Sequence, residues 1–237
     1  MVLGTLRHIS GLDRDALPDL LVDGTEISWT DSVEYLGVTI TGTLNWERHV
    51  SRTVSRVNTT LHQLKLCRHL LPDTLRVRLI QTLITPIFDY CCVVLTNITR
   101  EQNCRLQRAF NRCMRFIFHV GWDEHITPYF ERLGWLKVET RRQYHVGCFT
   151  FSVINKKKPK SIFNNFEFRS DRTCRGTRTP GEKLILPQCR TEFYKRSFCS
   201  FAAELWNGLP TQLREVGEIK EFRCRLLEHL RYAGTAR

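Results

Sequence analysis

The chain has 237 residues, 42% of them hydrophobic, enough to bury one large core or two small ones. Lys and Arg number 36 against 24 Asp and Glu, and a net charge of +12 favours a polyanionic partner without choosing between nucleic acid and a membrane surface. The start, Met1-Val2-Leu3-Gly4-Thr5-Leu6-Arg7, lacks the apolar run of a signal peptide, and the longest apolar stretch, residues 79–95, is interrupted by Gln81, Pro86 and Asp89. Secretion and membrane spanning are therefore both disfavoured, and an intracellular protein, nuclear or cytoplasmic, is expected.

The charge is unevenly spread. Residues 1–50 carry 3 basic and 8 acidic side chains, a net −5, whereas residues 51–237 carry 33 and 16, a net +17. A polyanion should meet the second part. The 10 cysteines include no Cys-x-x-Cys pair and show no zinc-ligand rhythm, so free thiols in a reducing compartment are expected and no structural metal site. The triplets Asn58-Thr59-Thr60 and Asn97-Ile98-Thr99 then read as chance matches to the glycosylation signal.

Taken in chain order, Leu20-Leu21-Val22 and Glu26-Ile27-Ser28-Trp29 flank an Asp23-Gly24 turn signal, and residues 33–40 are rich in β-branched side chains, which predicts strands over 20–40. After Asn45, a good N-cap, the apolar positions Val50, Val54, Val57, Leu61 and Leu64 define one helix face, with Arg48, Arg52 and Arg56 on the others. Asp73 suits the cap of a second helix burying Leu75, Leu79, Ile80 and Leu83. Thr85-Pro86 then fits a fresh start, with a third helix over 87–95. A fourth is expected over 102–118, with Leu106, Phe110, Cys113 and Ile117 on one face and Arg105, Arg108, Arg112 and Arg115 on a separate stripe.

Thr127-Pro128 opens a short helix that should stop at Gly134, and residues 139–155 suit another, with Tyr144, Cys148 and Phe151 inward. Residues 156–198 lose periodicity, hold 12 basic and 4 acidic side chains, and include the turn-rich run Arg175-Gly176-Thr177-Arg178-Thr179-Pro180-Gly181; an exposed connector is expected. Ser200 should cap a helix ending before Gly208, and Ile219, Phe222, Leu226 and Leu230 define a last amphipathic one. No internal repeat is visible.

Several residues invite chemistry. Asp13 and Asp15 could share a metal, but Leu12-Asp13-Arg14-Asp15-Ala16-Leu17-Pro18 has the composition of a solvated loop. Asp89-Tyr90 lacks a second aspartate and reads as a buried or capping acid, and Cys91-Cys92 lack the local signature of a nucleophile. Trp46, Trp135 and Trp206 could stack on bases, yet each lies where a helical core would use it. Lys156-Lys157-Lys158-Pro159-Lys160 suits a charged linker as well as a phosphate site or nuclear signal. The arginine stripe is the most pointed feature, because guanidinium groups at one-turn intervals can track phosphates, and no acid stands four positions after any of the four.

Four stretches in order resemble the reverse transcriptases of non-LTR retrotransposons, the LINE class, in the region after the polymerase active site. They are Ser32-Val33-Glu34-Tyr35-Leu36-Gly37-Val38-Thr39-Ile40 with Leu44-Asn45-Trp46 and His49; Leu83-Ile84-Thr85-Pro86-Ile87-Phe88-Asp89-Tyr90-Cys91 with Leu106-Gln107-Arg108 and Asn111-Arg112-Cys113; Leu133-Gly134-Trp135-Leu136 with Arg141-Arg142; and Phe201-Ala202-Ala203-Glu204-Leu205-Trp206-Asn207-Gly208-Leu209-Pro210 with Phe222-Arg223. The resemblance implies a mainly α fold with a small N-terminal β element, a helical thumb-like bundle and a second helical C-terminal segment. Its parts would be a palm remnant at 1–44, a thumb at 45–122, a helical extension at 123–155, a basic connector at 156–198 and C-terminal helices at 199–237.

The same resemblance implies primer-grip-like strands at Tyr35, Leu36, Gly37 and Val38. It also implies binding of an RNA and DNA template–primer duplex through Arg48, Arg52, Arg56, Arg105, Arg108, Arg112 and Arg115. The family's polymerase uses Mg2+ held by an early palm aspartate and an Asp-Asp pair. This sequence contains no Asp-Asp dipeptide, so no catalytic residue, cofactor or small-molecule substrate is expected within it. Two rivals stand beside the binding fragment: a piece of a working RNA-directed DNA polymerase whose palm is encoded upstream, and a degenerate helical protein with an interaction role only. Oligomeric state is not legible.

Overall fold

The computed structural model describes residues 1–13, 17–18, 20–169 and 183–235. The fold is mainly α, with a small β element near the N-terminus. A short helix, α1 (Leu6–Ser10), precedes two separate antiparallel hairpins, β1 (Leu20–Val22) with β2 (Thr25–Ile27), and β3 (Ser32–Tyr35) with β4 (Val38–Thr41). Both turns are two residues long and of the primed kind. Val22 pairs with Thr25 across Asp23 (φ 49°) and Gly24 (φ 76°), and Tyr35 pairs with Val38 across Leu36 (φ 46°) and Gly37 (φ 76°). Positive φ at both central positions matches the right-handed twist of the strands, which is why glycine stands second in each. The first hairpin is exposed along its length, whereas the second leans on the helices through Val38.

The first helical core begins with α2 (Glu47–Leu66), whose opening amide donates to Asn45 Oδ1 at 2.7 Å, so Asn45 caps it from just outside. Val50, Val57, Leu61 and Leu64 are buried along its inner face. The longest partner is α5 (Arg100–Phe118), closed at its start by a reciprocal capping box between Thr99 and Gln102. Its face of Leu106, Phe110, Cys113 and Ile117 is buried as its spacing predicts. Phe110 is the hub: its ring lies 5.1 Å from Phe88, 5.3 Å from Phe130 of α6 (Thr127–Leu133), and 5.9 Å from Trp135, on which it stacks.

Between α2 and α5 the chain departs from expectation. The second helix, α3 (Asp73–Leu79), continues through one widened π-helical turn over residues 80–84 into α4 (Thr85–Asp89). Pro86 has no N–H and cannot sit inside a regular α turn, and Thr85 satisfies the carbonyl of Ile80 with its backbone N–H and with Oγ1 at 3.1 Å. Ile80 is buried as expected, whereas Leu75 and Leu83, expected inside, are exposed, and Arg76 and Ile84 are buried. Asp73 is the first helical residue, with Pro72 at the cap position, and its carboxylate pairs with Arg76 at 3.0 Å. The helix expected over 87–95 is also corrected: Tyr90 leaves helical geometry, Cys91 is left-handed at φ 51°, and only 3₁₀ turns follow, over Cys92–Asn97.

The second core is built on α7 (Val138–Lys156), α10 (Phe198–Gly208) and α12 (Ile219–Thr235). Three short helices flank it: α8 (Lys160–Phe163), α9 (Glu192–Lys195) and α11 (Thr211–Arg214). Phe151 stacks on Phe222 at 4.2 Å, and Gly147 lets α12 approach so closely that a Cβ there would lie 2.8 Å from Leu226 Cδ2. The stretch 156–198, expected to be an exposed connector, is packed in part. Phe166 and Leu184 are buried in this core, and Phe168 bridges to Leu184. The run from Arg175 to Gly181 lies outside the described residues. The two cores meet along α7. Asp89 of α4 takes a two-pronged guanidinium contact from Arg141, including 2.6 Å to Oδ2, and Arg142 donates to Asn103 of α5 at 2.8 Å.

Candidate nucleic-acid interface

Helices α2 and α5 run side by side in the same direction. Arg105 Nη2 donates to Ser51 Oγ at 2.7 Å and Arg112 Nη1 to Asn58 Oδ1 at 2.9 Å, so seven residues on one helix match seven on the other. The arginine stripe therefore borders a seam rather than standing clear of the fold. Arg105 is ion-paired with Glu47, whose carboxyl that hydrogen bond holds below the usual carboxylate range despite the opposing effect of desolvation. Glu101 stands four residues before Arg105 on α5, yet the acid that pairs with Arg105 comes from a helix more than fifty residues away.

Arg108 is the exposed member, and it has no hydrogen bond or ion pair among the described residues. Arg115 is spent on structure. Its guanidinium donates to the carbonyls of Gly121 at 2.9 Å, Trp122 at 3.1 Å and Glu124 at 3.3 Å, and its Cζ lies 5.2 Å from the centre of a Trp122 ring. It thus clips the α5–α6 loop and presents the Trp122 indole. Further along the seam, Asn58, His62 and Lys65 of α2 line a groove with Arg112 and Trp122, floored by Leu61. No carboxylate lines it.

The α2 row faces elsewhere. Arg48 donates to Ser32 Oγ at 2.5 Å and Arg52 pairs with Glu34, so both brace β3, while Arg56 is exposed. Successive positions at 100° per residue put this row on the hairpin side of α2 and the Glu47, Ser51, Asn58 row on the α5 side, so the seven arginines do not converge on one surface. Of the primer-grip-like residues, Val38 is buried, Tyr35 and Leu36 are exposed, and Tyr90 holds the turn by donating to the Leu36 carbonyl at 2.6 Å. Gly37 lies against the same ring, 3.4 Å from where a Cβ would stand. His49 ties the hairpin to α2 by accepting the Thr39 amide at Nδ1, 3.3 Å away; burial, then the charges of Arg52 and Arg56, pull its pKa below the ordinary histidine value.

Trp46, Trp135 and Trp206 are packing residues. Trp206 is buried, Trp135 stacks on Phe110, and Trp46 donates to Asn97 at 2.7 Å. Trp122, which the helical pattern does not single out, is the exposed one at 72%. Asp89 is tied into the α4–α7 contact. Burial raises its pKa, but the hydrogen bonds from Arg141, with His145 Nε2 3.2 Å away, outweigh this and leave it below the usual carboxylate range. Neighbouring Cys92 is pushed up to about 12 by burial and by Asp89, so it is a protonated core thiol and not an activated nucleophile.

Among the described residues no group of three or more His, Cys, Asp or Glu side chains is placed to hold a metal ion; Asp15 lies outside those residues. No described helix is long and apolar enough to cross a membrane. Against known families, curated proteins and solved structures, no family model, curated protein or solved structure matches the chain. What stands is a mainly α protein with a carboxylate-free cationic groove beside the seam of two parallel helices.

Proposed function

We propose that the chain is a nucleic-acid-binding fragment of a reverse transcriptase of the non-LTR retrotransposon type, gripping a template–primer duplex through the α2/α5 seam and performing no chemistry of its own. The observation that supports this reading best is the alignment of Arg108, Arg112 and Lys65 along one seam, with a groove free of carboxylates beside them. Cations spaced by helical turns neutralise successive phosphates, which gives an affinity that depends on salt far more than on sequence. The ordered sequence resemblance supports the family. The free thiols of the described cysteines fit an intracellular site of action, nuclear or cytoplasmic.

The seam is narrower than the seven-arginine surface implied by sequence. Arg48, Arg52 and Arg115 act inside the fold, and Arg105 is half neutralised by Glu47. Fluorescence anisotropy with a labelled RNA–DNA duplex at low salt tests the reading. Binding is expected for the wild-type chain and a large loss for Lys65→Ala combined with Arg108→Ala, while Arg56→Ala changes little. Equal affinity in all three would remove the seam from the binding surface.

A further inference from the structure

We infer that the groove formed by Asn58, His62, Lys65, Arg112 and Trp122 is a site for one unpaired nucleotide, its base stacked on the Trp122 indole and its phosphate held by Lys65 and Arg112. The inference rests on the reading of the α2/α5 seam as a polyanion-binding surface and specifies what part of a nucleic acid this end of it takes.

Three features of the groove converge on that ligand. The first is the indole itself. A tryptophan at 72% exposure is a costly residue to leave in water, and this one is held in place rather than trailing on a loose loop, because Arg115 takes three carbonyls of its loop and lies over its ring. With one face against a guanidinium, the rest of the indole is an open aromatic platform. The second is charge: Lys65 and Arg112 both line the groove, and no carboxylate stands among the lining residues. Of the loop's two acids, Glu124 accepts from the Tyr129 hydroxyl, and Asp123 turns its carboxylate toward Gly121 and is not among the lining residues.

The third is size. The groove is open to solvent and offers about 420 Å³, roomy enough for a base with its sugar and phosphate. A site that pairs an aromatic face with two cations selects a ligand that is itself both aromatic and anionic. Inorganic phosphate uses only the cations, and an apolar peptide uses only the ring. A base inside a duplex has both faces covered by its neighbours, so the nucleotide that stacks here is an unpaired one, at a strand end or in a single-stranded overhang.

Anisotropy on three probes tests this with the full chain: a blunt RNA–DNA duplex, the same duplex with a short single-stranded overhang, and a short oligo-dT. Because Trp122 is exposed, Trp122→Ala leaves the cores intact, and circular dichroism of each variant checks that. Trp122→Ala should weaken overhang and oligo-dT binding about tenfold, with the blunt duplex within about twofold of wild type, and Trp122→Phe should fall between. Unchanged overhang binding in Trp122→Ala, alongside intact duplex binding, overturns this inference alone. Oligo-dT binding that needs Trp122, without any duplex binding, supports it and overturns the duplex reading. Binding of none of the probes overturns both.

Discussion

Glu47 offers a gain-of-binding experiment. Its carboxylate sits at the start of α2 beside the seam, accepts the Arg105 guanidinium, and also takes hydrogen bonds from Gln102 and Ser51. If phosphates follow the seam, Glu47 subtracts one cation from the surface they meet. Glu47→Gln keeps the shape and releases Arg105. One additional phosphate contact steepens the salt dependence by about 0.9 in log–log slope, which at about 0.1 M salt corresponds to roughly five- to tenfold tighter binding. The cost in stability is small, since the pair is partly exposed, with side-chain exposures of 30% for Arg105 and 50% for Glu47. Such pairs contribute about 0.2–1 kcal/mol.

Lowering the pH should mimic the substitution. Arg105 depresses the Glu47 pKa, so the carboxylate persists below the ordinary glutamate range and the masking is lost only as pH falls through that depressed value. Titration of a labelled duplex at several salt concentrations is the assay, for wild type and Glu47→Gln. Equal slopes and equal affinities would refute the idea that nucleic acid follows α2 and α5. A large loss of thermal stability would refute the modest weight given to the pair.

Three further outcomes follow from the geometry. Asp89→Ala leaves the Arg141 guanidinium, 25% exposed, without its carboxylate, and should lower the urea midpoint by the equivalent of about 2 kcal/mol at neutral pH. Because the folded pKa of Asp89 is depressed, that difference should be complete above about pH 5 and shrink as pH falls through the folded value. His49 is neutral in the fold with a lowered pKa, so the unfolded chain binds the extra proton; stability should fall as pH drops below about 6.5, with faster exchange of the Thr39 amide, and His49→Gln should flatten that dependence. Gly147→Val, whose branched side chain has no room against Leu226, should destabilise by about 2 kcal/mol, measured as a lower thermal midpoint.

The inner faces of α2 and α5 were legible because each is a long helix with an unbroken 3.6-residue period, and one face buries in one core. The same is true of Phe222, Leu226 and Leu230 on α12, and of Gly134, which ends α6 at φ 63°. Two-residue turns with glycine second marked the hairpins. The face of α3 was only partly legible: Ile80 is inside as its spacing says, but Leu75 gives way to Arg76 within the regular helix, and Ile84 in the π turn before Pro86 takes the inner place that a regular count gives to Leu83. Arg76 is buried only because it satisfies the carbonyls of Ile117 and Arg68 and lies over Phe116, partners drawn from other elements.

The candidate site was half visible. The stripe from Arg105 to Arg115 is a property of one helix and could be read locally. That Glu47, Ser51 and Asn58 lie against it depends on the parallel packing of α2, which no local spacing announces. Trp122 lies in a loop without periodicity, and its signal is the arginine seven residues earlier, Arg115, whose reach fixes the loop.

The most direct test of the central claim is the salt dependence of binding to an RNA–DNA duplex, measured for wild type and for Arg108→Ala with Arg112→Ala. The account predicts a steep linear fall of log affinity with log salt for wild type, and a slope shallower by roughly two for the double variant. Equal slopes in the two proteins, or no duplex binding by the wild-type chain even at about 50 mM salt, would contradict it.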